Sequence, residues 1–400
     1  MVLCLQYIMM QNQRLTWYPL FVSATVIFLD TAGYSVIVPL IPDFVVSLDL
    51  NAIQVSALFS VYGLVLLVVP IPLGILADRI DRKRFLYISL CVKACALFGL
   101  SLADSYAELM ILRIVDAAAG AATWTICLAL TADFYPQESI GSKFGIIIAA
   151  SEAGSFAGPL ISGPMADWFD SISAPFIFMS SLCVLAISLL LFLAKPKDTT
   201  SSRSPMQEIR SLLSNRKILT VGMLFFIGAF FVGMLESIYP VYLGRTLNFS
   251  RTQIGITFAV LTGTFVLLMP LAGALSSKYR ASLFITTGLV ITSISLPGLV
   301  FFQAAKILSL FLICQAMGWA LFFAPAFPIF TQEVKNAGSG SGIAFGLSNV
   351  FWAAGFMIGP VIGGLLMELG GIQLPFTLMG FALLFLIMIF QRPNRKKKPT

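Results

Sequence analysis

The sequence has no histidine, and only 11% of its 400 residues are charged, against roughly 25% in an average soluble domain. It also lacks HExxH, GxSxG, P-loop and GxGxxG stretches, so the usual residues for zinc, serine-nucleophile, ATP-driven or dinucleotide chemistry are missing. The six cysteines, at positions 4, 91, 95, 127, 183 and 314, form no CxxC pair. Most sit inside apolar runs, where a thiol acts as a small hydrophobe. No disulfide framework, metal site or cofactor is expected, and an enzyme has no residues to work with. The net charge of +7 is not gathered into the basic stripe on a soluble face that nucleic-acid binding requires. The opening MVLCLQYIMM has neither a basic n-region nor a small-residue cleavage site, so no removed signal peptide is expected.

What is present is apolar. Hydrophobic residues make up 58% of the chain and the mean hydropathy is +0.94, more apolar surface than a soluble fold can hide from water. The apolar runs repeatedly reach the ~20 residues needed to cross a bilayer. They predict spans near 18–41, 52–77, 85–102, 108–132, 142–166 and 174–194, then near 218–243, 254–276, 283–302, 307–330, 341–367 and 375–390. With the N-terminus placed inside, twenty of the 25 basic residues fall on the cytoplasmic side; only Arg245, Arg251 and Lys306 lie opposite. That bias predicts both termini in the cytoplasm. The RKKK cluster at 395–398 serves the same anchoring.

The polar stretch 195–217 divides the chain into six spans on each side, giving an N-terminal bundle at 1–194, a cytoplasmic linker at 195–217 and a C-terminal bundle at 218–400. The halves echo one another: GSFAGPLISG at 154 matches GFMIGPVIGG at 355, and APF at 174 matches LPF at 374. Duplicated halves are a construction of secondary transporters, with the substrate site between them near mid-membrane. The expected fold is an all-α membrane protein of twelve transmembrane helices in two six-helix bundles.

Three motifs resemble the major facilitator superfamily, specifically its drug:proton antiporter branch. Between spans two and three, GILADRIDRKRFL (Gly74 to Leu86) is similar to the family's loop motif, with Asp81 in place of its second glycine. The resemblance makes Asp78 a gate residue, with Gly74, Arg79 and Arg82 in the same motif; Arg79, Arg82, Lys83 and Arg84 also suit positive-inside anchoring. In span four, Arg113 stands where the family keeps an intramembrane arginine, with Asp116 one helical turn on. In span five, Gly154, Gly158, Pro159 and Gly163 resemble the signature of antiporters. Small residues there let a neighbouring helix approach, and the Gly-Pro pair recurs at Gly359 and Pro360. FLDTAGYSVIVPLIP in span one and GMLESIYPVYL in span seven further resemble the vesicular monoamine transporters and their bacterial relatives. In that family the positions of Asp30 and Glu236 serve proton and cation coupling. Tyr62 stands where those proteins have a lysine and Asn349 where they have an acid, so substrate range is not carried over.

Six ionisable side chains lie well inside spans: Asp30, Lys93, Arg113, Asp116, Glu152 and Glu236. Each costs roughly 3 kcal/mol if idle, so partners or a wet cavity must exist. Asp30 and Glu236 have no basic residue in their own spans and are the expected proton-exchange sites, with Arg113 and Asp116 as a mutual pair. Glu152 is expected to bind cationic substrate or to pair with Lys93. Tyr34, Trp124, Tyr239, Trp319 and Trp352 offer aromatic faces to a lipophilic cation, although rings of this kind more often pack in cores. Tyr62 and Asn349 complete the expected substrate contacts. The function these residues imply is export of drugs or lipophilic organic cations by proton antiport across the inner (cytoplasmic) cell membrane, by a monomer. The alternative is a proton-coupled metabolite uptake symporter of the same fold.

Overall fold

The computed structural model describes residues 2–70, 72–73, 81–190, 193, 212–339 and 341–390. Within those residues the chain is helical, as lipid demands: with no water to satisfy backbone N–H and C=O groups, a spanning segment must satisfy them itself. Helix α1 runs Val2–Ser35, followed by a short 3-10 turn and α2 (Ile41–Ser47) that complete the first crossing. The remaining helices of the first half are α3 (Ala52–Val68), α4 (Arg82–Leu100), α5 (Tyr106–Phe134), α6 (Gln137–Trp168) and α7 (Ser173–Leu190). The second half supplies α8 (Arg216–Arg245), α9 (Arg251–Lys278), α10 (Ala281–Phe301), α11 (Ala305–Asn336), α12 (Ser341–Gly370) and α13 (Gln373–Phe390).

These segments follow the order of the twelve expected spans. The largest difference is at the N-terminus: α1 starts at Val2 rather than near residue 18, because no glycine or proline interrupts residues 2–18. The linker expected at 195–217 lies outside the described residues up to 211, as do Gly74, Asp78 and Arg79 of the loop motif. Asp81, which replaces the motif's second glycine, is the N-cap of α4, its carboxylate accepting from the backbone N–H of Lys83 (2.9 Å) and Arg84 (3.4 Å). Arg82 ion-pairs with Asp133 at the end of α5, and Lys83 Nζ donates to the Leu193 carbonyl (2.9 Å).

The internal repeat is visible in the packing. In the first half α1 packs on α6, and in the second α8 packs on α12. A Cβ on Gly154 or Gly158 would run into the α1 backbone at Phe28 and Ala32, and one on Gly355 or Gly359 would meet the α8 backbone at Phe226 and Phe230. The halves meet along two seams, α6 against α9 and α3 against α12. Gly163 faces the backbone of Arg251 across the first seam, and Gly364 faces Ala52 and Ser56 across the second. Large apolar side chains on the outer surface remain exposed, among them Phe21, Leu185, Leu267, Leu271, Phe381 and Phe385. Such a surface is at home against lipid tails and would be an aggregation patch in water.

Candidate functional site

Four of the six intramembrane ionisable residues form one buried cluster in the first half. Lys93 Nζ, on α4, lies 2.9 Å from Asp30 Oδ1 on α1 and 2.6 Å from Asp116 Oδ1 on α5. Asp116 Oδ2 also meets Arg113 Nη1 at 3.2 Å, one turn back along α5. All four side chains are at most 3% exposed, which such charges tolerate only because each has an opposite charge in contact. Gly120 makes the room: a Cβ there would lie 3.0 Å from both Asp30 Oδ1 and the Tyr62 hydroxyl. Trp124 stands one turn beyond Gly120 on α5, on the side of Asp30.

Arg113 is flanked by aromatic rings. Its guanidinium carbon lies 5.0 Å from the centre of the Tyr34 ring, 4.9 Å from Tyr62 and 5.7 Å from Phe59, distances at which the ring quadrupole attracts a cation. Its Nη1 donates to the Tyr34 carbonyl at 3.4 Å, while Nε and Nη2 meet no acceptor among the described residues. Tyr34 then crosses to the other half: its hydroxyl donates to Glu236 Oε2 on α8 at 2.5 Å. One side chain therefore touches both the arginine of the first bundle and the acid of the second.

Glu152 does not reach Lys93, contrary to the expectation. Lys93 is already held between Asp30 and Asp116, and Glu152 lies instead within electrostatic reach of Glu236. The link runs through α1, where Thr31 Oγ1 donates to the carbonyl of Ser151 (2.9 Å), beside Glu152, and Tyr34 stands one turn further on. Asp30, with no basic residue in its own span, takes its cation from α4, whose sequence gives no hint of facing it. Of the four acids inside spans, Glu152 and Glu236 make no ion pair among the described residues.

The aromatic candidates divide. Tyr34 and Tyr62 stand together, ring centres 4.5 Å apart, over the charged cluster. Tyr239 does not join them: it is fully buried, its hydroxyl donating to the Leu299 carbonyl (3.4 Å) and its ring packing on Tyr242, Phe258 and Phe376. It faces α10 and α13, where Leu299 and Phe376 lie. Trp319 is buried, its indole N–H without an acceptor among the described residues. Trp352 packs on Phe323 (5.7 Å), and Asn349 is exposed.

Sequence reasoning missed an aromatic wall in the second half. Phe225 of α8 meets Phe323, Phe327 and Phe330 of α11, and Phe330 meets Phe351 of α12. The available signal was the phenylalanine count, 35, with FF doublets at 225–226, 230–231 and 322–323.

A bundle of duplicated halves, two seams between them and buried charges facing the interface define a membrane transporter. The chain matches the Major Facilitator Superfamily over residues 23–348 and 226–400, and it belongs to that family. It is similar to the quinolone resistance protein NorA of Staphylococcus aureus, 26% identical over 386 residues that cover 93% of this chain and 96% of that protein. It is also similar to the human synaptic vesicular amine transporter, 22% identical over 82% of this chain and 64% of that one. Among solved structures, the nucleoside transporter NupG superposes with a TM-score of 0.77 at 15% identity, covering 94% of this chain and 100% of that one. An inward-facing bacterial homologue of the lysosomal transporter Spinster gives 0.76 at 15% identity, covering 94% and 95%.

Proposed function

We propose that this transporter exports lipophilic organic cations from the cytoplasm in exchange for protons, in the inner membrane of a bacterial cell. The observation that carries the reading is the charge count at the interface. Four acids share two cations, and Lys93 and Arg113 are both engaged by Asp30 and Asp116, leaving Glu236 and Glu152 to take a mobile positive charge. The similarity to a quinolone resistance protein supports drug export, and the aromatic wall on α8, α11 and α12 suits a lipophilic substrate body.

In this mechanism a proton from outside is transferred to the Glu236 carboxylate, which no longer needs a counter-charge and crosses with the closing halves. Facing inward, it releases that proton to cytoplasmic water, and the cation takes its place at the carboxylate. Tyr34 holds Glu236 in position throughout, and its ring and carbonyl report the occupancy of Glu236 to Arg113. Glu152 supplies a second negative charge that draws the cation to the seam. One proton entering for one monovalent cation leaving moves no net charge, so the proton concentration gradient drives the drug outward against its own gradient.

The test is ethidium uptake into inverted vesicles carrying the protein, with an imposed proton gradient. We expect uptake that collapses with a protonophore, that disappears in Glu236→Gln, and that persists in Glu152→Gln with an apparent affinity weaker by about tenfold, the loss of one close charge. Full gradient-driven uptake by Glu236→Gln overturns the assignment. Absence of uptake for every lipophilic cation, with accumulation of a metabolite in intact cells instead, would favour the uptake symporter.

A further inference from the structure

At the end of the bundle away from the termini, both seams between the halves are closed by one construction used twice. Across the α3–α12 seam, Glu368 near the end of α12 accepts from the backbone N–H of Ala52 in the first turn of α3, at 2.9 Å. Across the α6–α9 seam, Asp167 near the end of α6 accepts from the backbone N–H of Thr252 in the first turn of α9, also at 2.9 Å. Both helices that donate start with the same capping box, Asn51 with Gln54 and Ser250 with Gln253, which leaves other first-turn N–H groups free for an outside acceptor. Both acid-bearing helices bring a glycine, Gly364 and Gly163, onto the backbone of that first turn.

We infer that these two contacts are a twofold latch that holds the outer end of the transporter shut, each half clamping a helix N-terminus of the other with a carboxylate. The charge of the acid complements the positive end of the helix it grips. Arg251 reinforces one seam: its Nη2 and Nε bind Asp43 at 2.8 and 3.1 Å, Nη1 donates to the Ala166 carbonyl at 3.1 Å, and Asp170 lies 3.4 Å away. A cavity of about 720 Å³, lined by Asp43, Asp167, Asp170, Arg245 and Arg251, brings solvent to it. The latch is therefore polar and wet, and must break each time the central site opens outward. The basic-residue distribution places this end outside the cell. The latch rests on the fold and not on what is transported.

The experiment places a reporter cysteine at Ser56, which is fully buried under Gly364 in the α3–α12 seam, and follows its labelling in intact cells by a membrane-impermeant maleimide. The same protein with Ser56 intact gives the background from native cysteines. We expect Asp167→Asn and Glu368→Gln each to speed labelling by about threefold, the scale of one charge at a helix end, and the pair together by about tenfold. Raising the salt from 0.01 to about 1 M should speed labelling of the Ser56→Cys protein with no further change, since screening shortens to ~3 Å. That arm also answers the question if an acid variant fails to reach the membrane. Labelling rates unchanged by both acids and by salt overturn the latch, and a response to only one acid overturns its twofold character.

Discussion

Lys93 has the most demanding position of any residue in the molecule. It is 1% exposed and compensates two carboxylates at once, at 2.9 and 2.6 Å. Removing one partner of a buried ion pair leaves an uncompensated charge and costs about 3–5 kcal/mol. Lys93→Met should therefore lower the thermal midpoint of the detergent-purified protein sharply, and adding Asp30→Asn should restore part of the loss by deleting one stranded charge. Fluorescence-monitored melting of the three proteins decides it; a double variant no more stable than Lys93→Met would show that Asp30 does not depend on the lysine. Arg113 is better insulated, with the adjoining rings of Tyr34 and Tyr62 both against its guanidinium. At this scale the sequence revealed which residues are ionisable inside the membrane and paired Arg113 with Asp116, since both sit on one helix three residues apart. It did not reveal the partner of Lys93, because a contact between α1, α4 and α5 depends on how three helices rotate against each other, and the lipid-soluble sequence around LCVKACAL leaves that rotation open.

Among the elements, α6 is the most constrained. Its Gly154 and Gly158 lie against the α1 backbone, while Pro159 and Gly163 lie against α9, where Gly255 and Arg251 face them. A single helix thus joins its own bundle tightly on one side and makes the seam to the other bundle on another. Gly158→Val would push branched carbons into Ser35 and the Ala32 carbonyl, and overpacking of this kind costs about 1–3 kcal/mol or more where backbone cannot yield. We expect reduced membrane yield and a lower melting temperature for Gly158→Val, with a much smaller effect for valine at Gly145, where a Cβ would meet nothing within 4 Å. Equal effects at the two sites would remove close helix approach as the reason for the glycines. The motif was readable in the sequence as small residues, and its repetition at 355–364 as a second copy. Its division of labour, with two glycines facing inward to α1 and one outward to the other half, was not.

For the whole molecule the two ends are closed by different chemistry. The end away from the termini is held by carboxylates, backbone N–H groups and Arg251, and the end near the termini carries an aromatic contact between the halves, Phe144 on α6 with Phe345 on α12, ring centres 4.6 Å apart. Phe345 also meets Phe327 at 4.6 Å. Apolar contacts are insensitive to salt screening, whereas exposed polar ones weaken. Phe345→Ala should therefore raise cytoplasmic-side access to the central site, read as faster maleimide labelling in inverted vesicles of a cysteine introduced at Ser348. That increase should not depend on salt. Unchanged labelling would show that the ring contact does not gate this end.

The sequence by itself determined that the chain lives in a bilayer, that it crosses about twelve times and that it is built from two related halves. Those properties follow from summed hydrophobicity, from run length and from a repeat that survives in GP-containing motifs, all of which are local and additive along the chain. It also singled out Asp30, Arg113, Asp116, Glu152 and Glu236 as residues that must have a use, because the cost of a charge in lipid does not depend on where its partner comes from. Only the tertiary structure decided the partners. It gave Lys93 to Asp30 and Asp116, joined Tyr34 to Glu236 across the halves, and left Glu152 and Glu236 as the intramembrane acids without ion pairs among the described residues. The reason is geometric: an ion pair between spans is fixed by the rotation and depth of whole helices, and those are set by glycine contacts and side-chain packing spread over hundreds of residues, not by the few residues that carry the charge.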